Sequence, residues 1–285
     1  MPTLNLVANA HGRTFLQIDH PAVTAQISLE GAHITQCQPA GQPPLLWLSP
    51  EEPGLPGKSM RGGIPVCWPW FGDSSRGPAH GIARTSMWTL ESAHTDRSQV
   101  RVSMRLDAAT IAEKLPGEQW QVEIEFVLGE NLLVTLTSRN LGSSVLTLSQ
   151  ALHSYLPVTD IDAVSIHSLD NCSYVNQLTG LQQTQIGPLG IDKETDRIYF
   201  DHSGDVTVKA PGQGDLIVSR EGSQSLVLWN PWIEKSLRLN HLAPTGYQGM
   251  LCIEAANAGP DTREIQPGES HSLSTRIRRS WPAVV

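Results

Sequence analysis

Two side chains able to move protons near neutral pH stand in settings that a passive residue would not need. Glu254 directly follows Leu251-Cys252-Ile253, an apolar run with the character of a buried strand. A carboxylate seated there must be paired or carry a displaced pKa, which makes it the most conspicuous acid in the chain. His153 lies within Gln150-Ala151-Leu152-His153-Ser154-Tyr155-Leu156. Strand alternation sets it on the face of Ala151 and Tyr155, opposite Leu152, Ser154 and Leu156. A single histidine in a strand is more often a hydrogen-bonded core residue than a catalytic one.

Two further blocks are dense in residues that an ordinary surface loop does not require. Arg61-Gly62-Gly63-Ile64-Pro65-Val66-Cys67-Trp68-Pro69-Trp70-Phe71-Gly72 joins paired glycines to stiffening prolines and tryptophans. Glycines let backbone approach a ligand closely, and indole faces suit the C–H face of a sugar ring. The competing reading is a surface loop pinned by aromatic packing. His80-Gly81-Ile82-Ala83-Arg84 sets an imidazole four residues before a guanidinium. Taken alone, that spacing is a weak signal.

The elements that must position these residues are strands. Val23 to Leu29, Val100 to Leu106 and Trp120 to Phe126 alternate apolar with polar residues, the period of half-buried strands. Gly129-Glu130-Asn131 separates the last of these from Leu132 to Thr137 at hairpin spacing. Asp107 to Leu115 is the one helix-like stretch, and it stops at Pro116-Gly117. Pro39 to Pro65 reads as a long ordered loop, and no stretch reads as an interdomain linker or a short repeat. Residues 1–285 are therefore expected to form one all-β domain, a large curved sandwich.

Composition narrows the function classes. With 39% hydrophobic and 17% charged residues, the chain is not of the disordered type. A formal net charge of −8 disfavours nucleic-acid binding, which needs a basic surface. It leaves room for a small anion held by a few arginines. The ten histidines contain no HxH or HExxH pair, and Cys37, Cys67, Cys172 and Cys252 are widely spaced. No metal site is expected at known ligand spacing, and the thiols are expected to be reduced. No apolar run approaches a membrane span and no signal peptide is evident, so a cytoplasmic monomer without membrane partners is expected.

Six blocks in order then carry a resemblance: RGGIPVCWPWFG, GPAHGIAR, QALHSYL, ETDRIYF, WNPWIEK and MLCIEAAN, running from Arg61 to Asn257. Together they resemble the hexose-6-phosphate 1-epimerase branch of the aldose 1-epimerase superfamily. The resemblance implies an antiparallel supersandwich of the galactose-mutarotase-like type and exchange of the α and β anomers of a sugar phosphate. It implies Glu254 as base at the C1 hydroxyl and protonated His153 as donor to the ring oxygen. His80 and Asp196 are implied to hold ring hydroxyls or orient that pair, although Asp196 could instead pair with Arg197. Arg61 and Arg84 are assigned to the phosphate, with Lys58, Arg197 and Lys235 in reserve and salt bridges as the alternative. No cofactor is required. Two departures from the family pattern, Ala79 before the His-Gly pair and Asn240-His241 after the WNPW block, bear on sugar specificity. The competing functions are a neutral-sugar aldose 1-epimerase and a non-catalytic sugar-binding sandwich built on Trp68, Trp70, Trp229 and Trp232.

Overall fold

The alternating segments become strands in the computed structural model, which describes residues 2–281. Trp120–Leu128 and Leu132–Asn140 alternate buried with half-buried residues along most of their length. They pair antiparallel with Leu128 opposite Leu132, so the 129–131 turn closes a hairpin. Both belong to an eight-stranded sheet ordered Ser165–His167, Val206–Lys209, Asp215–Glu221, Ser270–Ser280, Leu132–Asn140, Trp120–Leu128, Val100–Leu106 and Trp88–Thr95. Helix is sparse, and Ala108–Lys114 forms the short one expected before Pro116-Gly117.

A second eight-stranded sheet runs Leu181–Thr184, Ser173–Asn176, Thr195–Tyr199, Ser225–Asn230, Met250–Asn257, Gln150–Leu152 and Val66–Cys67, with Tyr155–Pro157 also paired to Met250–Asn257. Its central strands do not alternate: every residue of Ser225–Asn230 and Met250–Asn257 is buried. Both faces are covered, which explains the continuous apolar run. Leu226, Leu228, Leu251, Ile253 and Ala255 face the core shared with Leu273 and Ile277 of the first sheet. Val227, Trp229, Cys252 and Ala256 belong to a smaller cluster on the opposite face.

A four-stranded meander, Thr3–Ala8, Thr14–His20, Val23–Ser28 and His33–Pro39, packs its buried residues into the main core. The long segment that follows is ordered by buried polar contacts. Arg13 donates to Glu30 at 3.0 Å and to the Leu55 carbonyl at 3.2 Å. The Gly57 N–H donates to the same Glu30 oxygen at 2.7 Å, and the Arg61 N–H to Glu52 at 2.7 Å. These bonds deliver Arg61 to the edge of the second sheet. None of the helices among the described residues is long and apolar enough to cross a membrane.

Candidate active site

The register of the second sheet assembles the site. Asp196 pairs with Trp229, Trp229 with Cys252, and Cys252 with Tyr155, one row across four strands. The next row runs Ile198, Val227 and Glu254. Adjacent residues in such rows point to the same face, so all of these look into one cavity or its floor. The strand opposite Met250–Asn257 is interrupted between Leu152 and Tyr155, yet Leu152 pairs with Ala255 and Tyr155 with Cys252. The residue count through the gap is preserved, and His153 falls opposite Glu254.

The cavity holds about 330 Å³ and is lined by Arg61, His80, Arg84, His153, Asp196 and Glu254, with Phe71, Tyr155, Trp229 and Lys235 among the others. All six residues singled out from the sequence are thus brought together. His153 Nδ1 stands 3.3 Å from Glu254 Oε1, without hydrogen-bond alignment. Nδ1 and the other carboxylate oxygen, Oε2, have no hydrogen-bond partner. The His153 ring stacks on Tyr155 at 4.8 Å, tilted by 8°, with the edge of Trp229 at 5.9 Å.

Burial dominates the proton affinities. It pushes the Glu254 carboxyl well above the ordinary range, and the nearby Asp196 charge adds to this. It pushes His153 well below its ordinary value, with His80, Arg84 and Arg61 acting in the same direction. Both shifts favour the neutral form of each group. His80 is lowered to about 4, first by burial and then by Arg84. Its Nδ1 accepts the Gly72 N–H at 3.3 Å, which leaves Nε2–H as a donor.

The two arginines are held by neutral groups. Arg61 Nη1 donates to the Tyr155 hydroxyl at 3.2 Å, and Arg84 Nη2 to the Ala79 carbonyl at 2.6 Å. Among the described residues neither has a carboxylate within 4.0 Å of its guanidinium, so the salt-bridge alternative does not hold. Lys235 enters the cavity but is engaged by Glu194 at 3.1 Å and Asp196 at 3.8 Å. Lys58 and Arg197 do not line it.

Three expectations are corrected. Asp196 does not pair with Arg197: alternation sends Arg197 to the opposite face, onto Gln185 at 2.9 Å and over the Tyr174 ring. Trp68 offers no face to a sugar, because it is fully buried with its Nε1 on Ser138 and its ring edge-on to Trp120. Trp70 is buried as well, its Nε1 on the Pro78 carbonyl. Of the four tryptophans considered, only Trp229 lines the cavity. The paired glycines serve contacts within the chain and not with a ligand. A Cβ on Gly63 would lie 2.2 Å from the Ile34 carbonyl oxygen. Ser59, Met60 and Leu239 also line the cavity and carry no signal that sequence reading could use.

His153, Cys252 and Glu254 bring donor atoms within 4.8 Å of one another, a cluster that linear spacing did not indicate. Cys252 and Glu254 are two apart on one strand and share a face, while His153 arrives from across the sheet. The thiol is buried, and its pKa is pushed well above the usual value by burial and by Glu254.

The aldose 1-epimerase family model matches residues 14–278. The chain belongs to the aldose 1-epimerase family. A candidate glucose-6-phosphate 1-epimerase of Escherichia coli (strain K12) is 30% identical to this epimerase over 266 residues, 92% of this chain and 88% of its own. A candidate of the same name from Haemophilus influenzae (strain ATCC 51907 / DSM 11121 / KW20 / Rd) is 31% identical over 82% of this chain and 80% of its own. The crystal structure of a candidate mutarotase from Salmonella typhimurium superposes with a TM-score of 0.88 at 24% identity, covering 98% of this chain and 97% of that one. The mutarotase-like supersandwich of antiparallel sheets is the fold of this epimerase, and the chain is an isomerase.

Proposed function

We propose that this epimerase interconverts the α and β anomers of a hexose 6-phosphate, glucose 6-phosphate in the first instance, as the names of its relatives suggest. The observation that carries the phosphate is the pair Arg61 and Arg84, free of carboxylate partners among the described residues and lining the cavity that holds His153 and Glu254. In a chain of net charge −8, two uncompensated guanidiniums in one cavity are suited to bidentate contacts with phosphate oxygens. One domain spanning the chain fits the shared core, which draws on all three larger sheets.

The reacting oxygens of a cyclic hexose are both bonded to C1, so acid and base must stand side by side. His153 and Glu254 do so at 3.3 Å. In ring opening, protonated His153 gives its proton to the ring oxygen as the C1–O5 bond breaks. Glu254 takes the proton of the C1 hydroxyl as the aldehyde forms. Rotation about C1–C2 turns the other carbonyl face to the ring hydroxyl, and the same transfers in reverse close the ring. One proton thus leaves His153 for the ring oxygen while a different one arrives on Glu254 from the C1 hydroxyl, and both transfers reverse on closure. Each such transfer is worth about 10²–10⁴-fold. His80 supplies a donor and Asp196 an acceptor for ring hydroxyls, while the Phe71 and Trp229 rings flank the apolar ring face. The chemistry calls for no cofactor.

The test is substrate selectivity. Charge-assisted hydrogen bonds contribute roughly 1.5–3 kcal/mol each, so Arg61→Ala should lower kcat/KM on glucose 6-phosphate at least tenfold while largely sparing glucose. Equal losses on both sugars would move the phosphate elsewhere and favour a neutral aldose.

A further inference from the structure

Tyr155 touches both halves of the site. Its backbone is fixed first: the N–H donates to the Gly63 carbonyl and the carbonyl accepts the Trp47 N–H, each at 2.9 Å. Its ring stacks on His153 at 4.8 Å and on Trp47 at 6.0 Å, tilted by 8° and 19°. The edge of Trp229 lies at 6.1 Å. At the far end of the side chain, the hydroxyl accepts from Arg61 Nη1 at 3.2 Å. Among the described residues no other hydrogen bond reaches this guanidinium, and its Nε is buried without a partner. The hydroxyl likewise has no acceptor for its own proton among the described residues, although Tyr155 is only 2% exposed. Burial raises the phenol's pKa above its ordinary value in spite of Arg61, so that proton stays in place near neutral pH. Buried donors without acceptors are costly and call for an explanation. Here two of them belong to touching side chains that line one cavity.

The substrate makes a matching demand. In a hexose 6-phosphate, C5 carries both the ring oxygen and the C6 arm, so the phosphate leaves the sugar beside the atom that His153 protonates. Resting on the phosphate reading above, we infer that Tyr155 joins the phosphate site to the acid: its hydroxyl orients Arg61 and donates to a phosphoryl oxygen, while its ring fixes the plane of His153. An imidazole presents its nitrogens in its own plane, so a parallel neighbour sets the directions in which it can give a proton. Toward the phosphate Tyr155 is a binding group; toward His153 it is a positioning residue.

The experiment separates the two ends of the side chain with Tyr155→Phe and Tyr155→Leu, assayed on glucose 6-phosphate and on glucose by exchange NMR. Tyr155→Phe keeps the ring and loses the hydroxyl. Its kcat/KM on glucose 6-phosphate should fall about tenfold, chiefly through KM, with a much smaller loss on glucose. Competitive inhibition by inorganic phosphate should weaken in parallel. Tyr155→Leu loses the ring as well, and its kcat should drop about tenfold or more below that of Tyr155→Phe on both sugars. Melting curves establish that each variant is folded, and the Tyr155→Phe result decides the hydroxyl's role by itself. An unchanged KM for glucose 6-phosphate in Tyr155→Phe, or equal losses on the two sugars, would overturn the inference. A kcat for folded Tyr155→Leu matching that of Tyr155→Phe would remove the ring's part in placing His153. The phosphate reading is judged separately: it stands if Arg61→Ala discriminates against glucose 6-phosphate, whatever Tyr155 does, and fails if Arg61→Ala loses equally on both sugars.

Discussion

His153 faces Glu254 across an interruption in the strand pairing, and it does so in register. Leu152 opposite Ala255 and Tyr155 opposite Cys252 bracket the gap, so the two unpaired positions between them keep their count. The His153 N–H turns instead to the Pro65 carbonyl at 3.1 Å. Freed from the ladder on that side, the imidazole lies 3.3 Å from the carboxylate of the neighbouring strand. A strand break thus builds the acid–base pair.

That pair sets the pH dependence. Turnover needs one proton on the two groups together: two protons leave no base, and none leaves no acid. Burial lowers His153 and raises Glu254, which makes both the doubly protonated and the fully deprotonated pair costly. The kcat/KM profile on glucose 6-phosphate should be a broad bell, its acid limb below the ordinary histidine value of about 6.5 and its alkaline limb above the ordinary carboxylate range. A profile rising to half its maximum near pH 6.5 would place an unperturbed histidine in charge.

Gly81→Ala should damage both stability and activity. The residue has φ +79°, and a Cβ would sit 2.0 Å from the Trp68 carbonyl oxygen, with His80 next to it. Gly12 has φ +84° and open space around its Cβ position, so Gly12→Ala carries the backbone strain alone, about 1–3 kcal/mol. Thermal melts should show a larger loss of Tm for Gly81→Ala than for Gly12→Ala, together with a fall in kcat. Equal melts would mean that the close approach to Trp68 is not a constraint.

Much of this architecture was legible in the sequence, and the failures have physical causes. Alternation from Val100 to Thr137 reported the hairpins of one sheet because one face of each strand is wetter. The unbroken run before Glu254 reported a strand covered on both faces. Partnership across strands was not legible, since no local pattern specifies which turn of chain lies opposite Glu254. Trp68 and Trp70 misled because a loop indole does not declare its side, and Trp68 turned into the core. Asp196 and Arg197 looked like an ion pair by adjacency, yet neighbours on a strand point apart.

Acid should destabilise the fold through His33. This fully buried ring donates from Nε2 to the Gly62 carbonyl at 2.7 Å, and burial lowers its pKa to about 3. The unfolded chain takes up that proton near pH 6.5, so between about 6.5 and 3 it binds more protons than the folded one. Stability falls as pH drops through this window. His33→Gln keeps a donor for Gly62, and Tm against pH should be flatter for this variant below pH 6.5. Parallel curves would assign the acid sensitivity to other groups.

Exhaustive chelation should leave activity intact, because neither proton transfer needs a Lewis acid. Added Zn²⁺ provides the converse arm, since His153, Cys252 and Glu254 present a donor set that zinc accepts. Loss of activity on chelation, restored by one specific divalent ion, would overturn the mechanism.

The central claim, Glu254 as base at the C1 hydroxyl and His153 as acid at the ring oxygen, is tested most directly on glucose 6-phosphate with Glu254→Gln. Anomer exchange followed by NMR should show kcat reduced by about 10² or more, with a melting curve and phosphate affinity close to those of the parent, since the amide fills the same space but accepts no proton. A variant keeping more than about a tenth of the parent kcat would contradict the account, because a general base contributes far more than that.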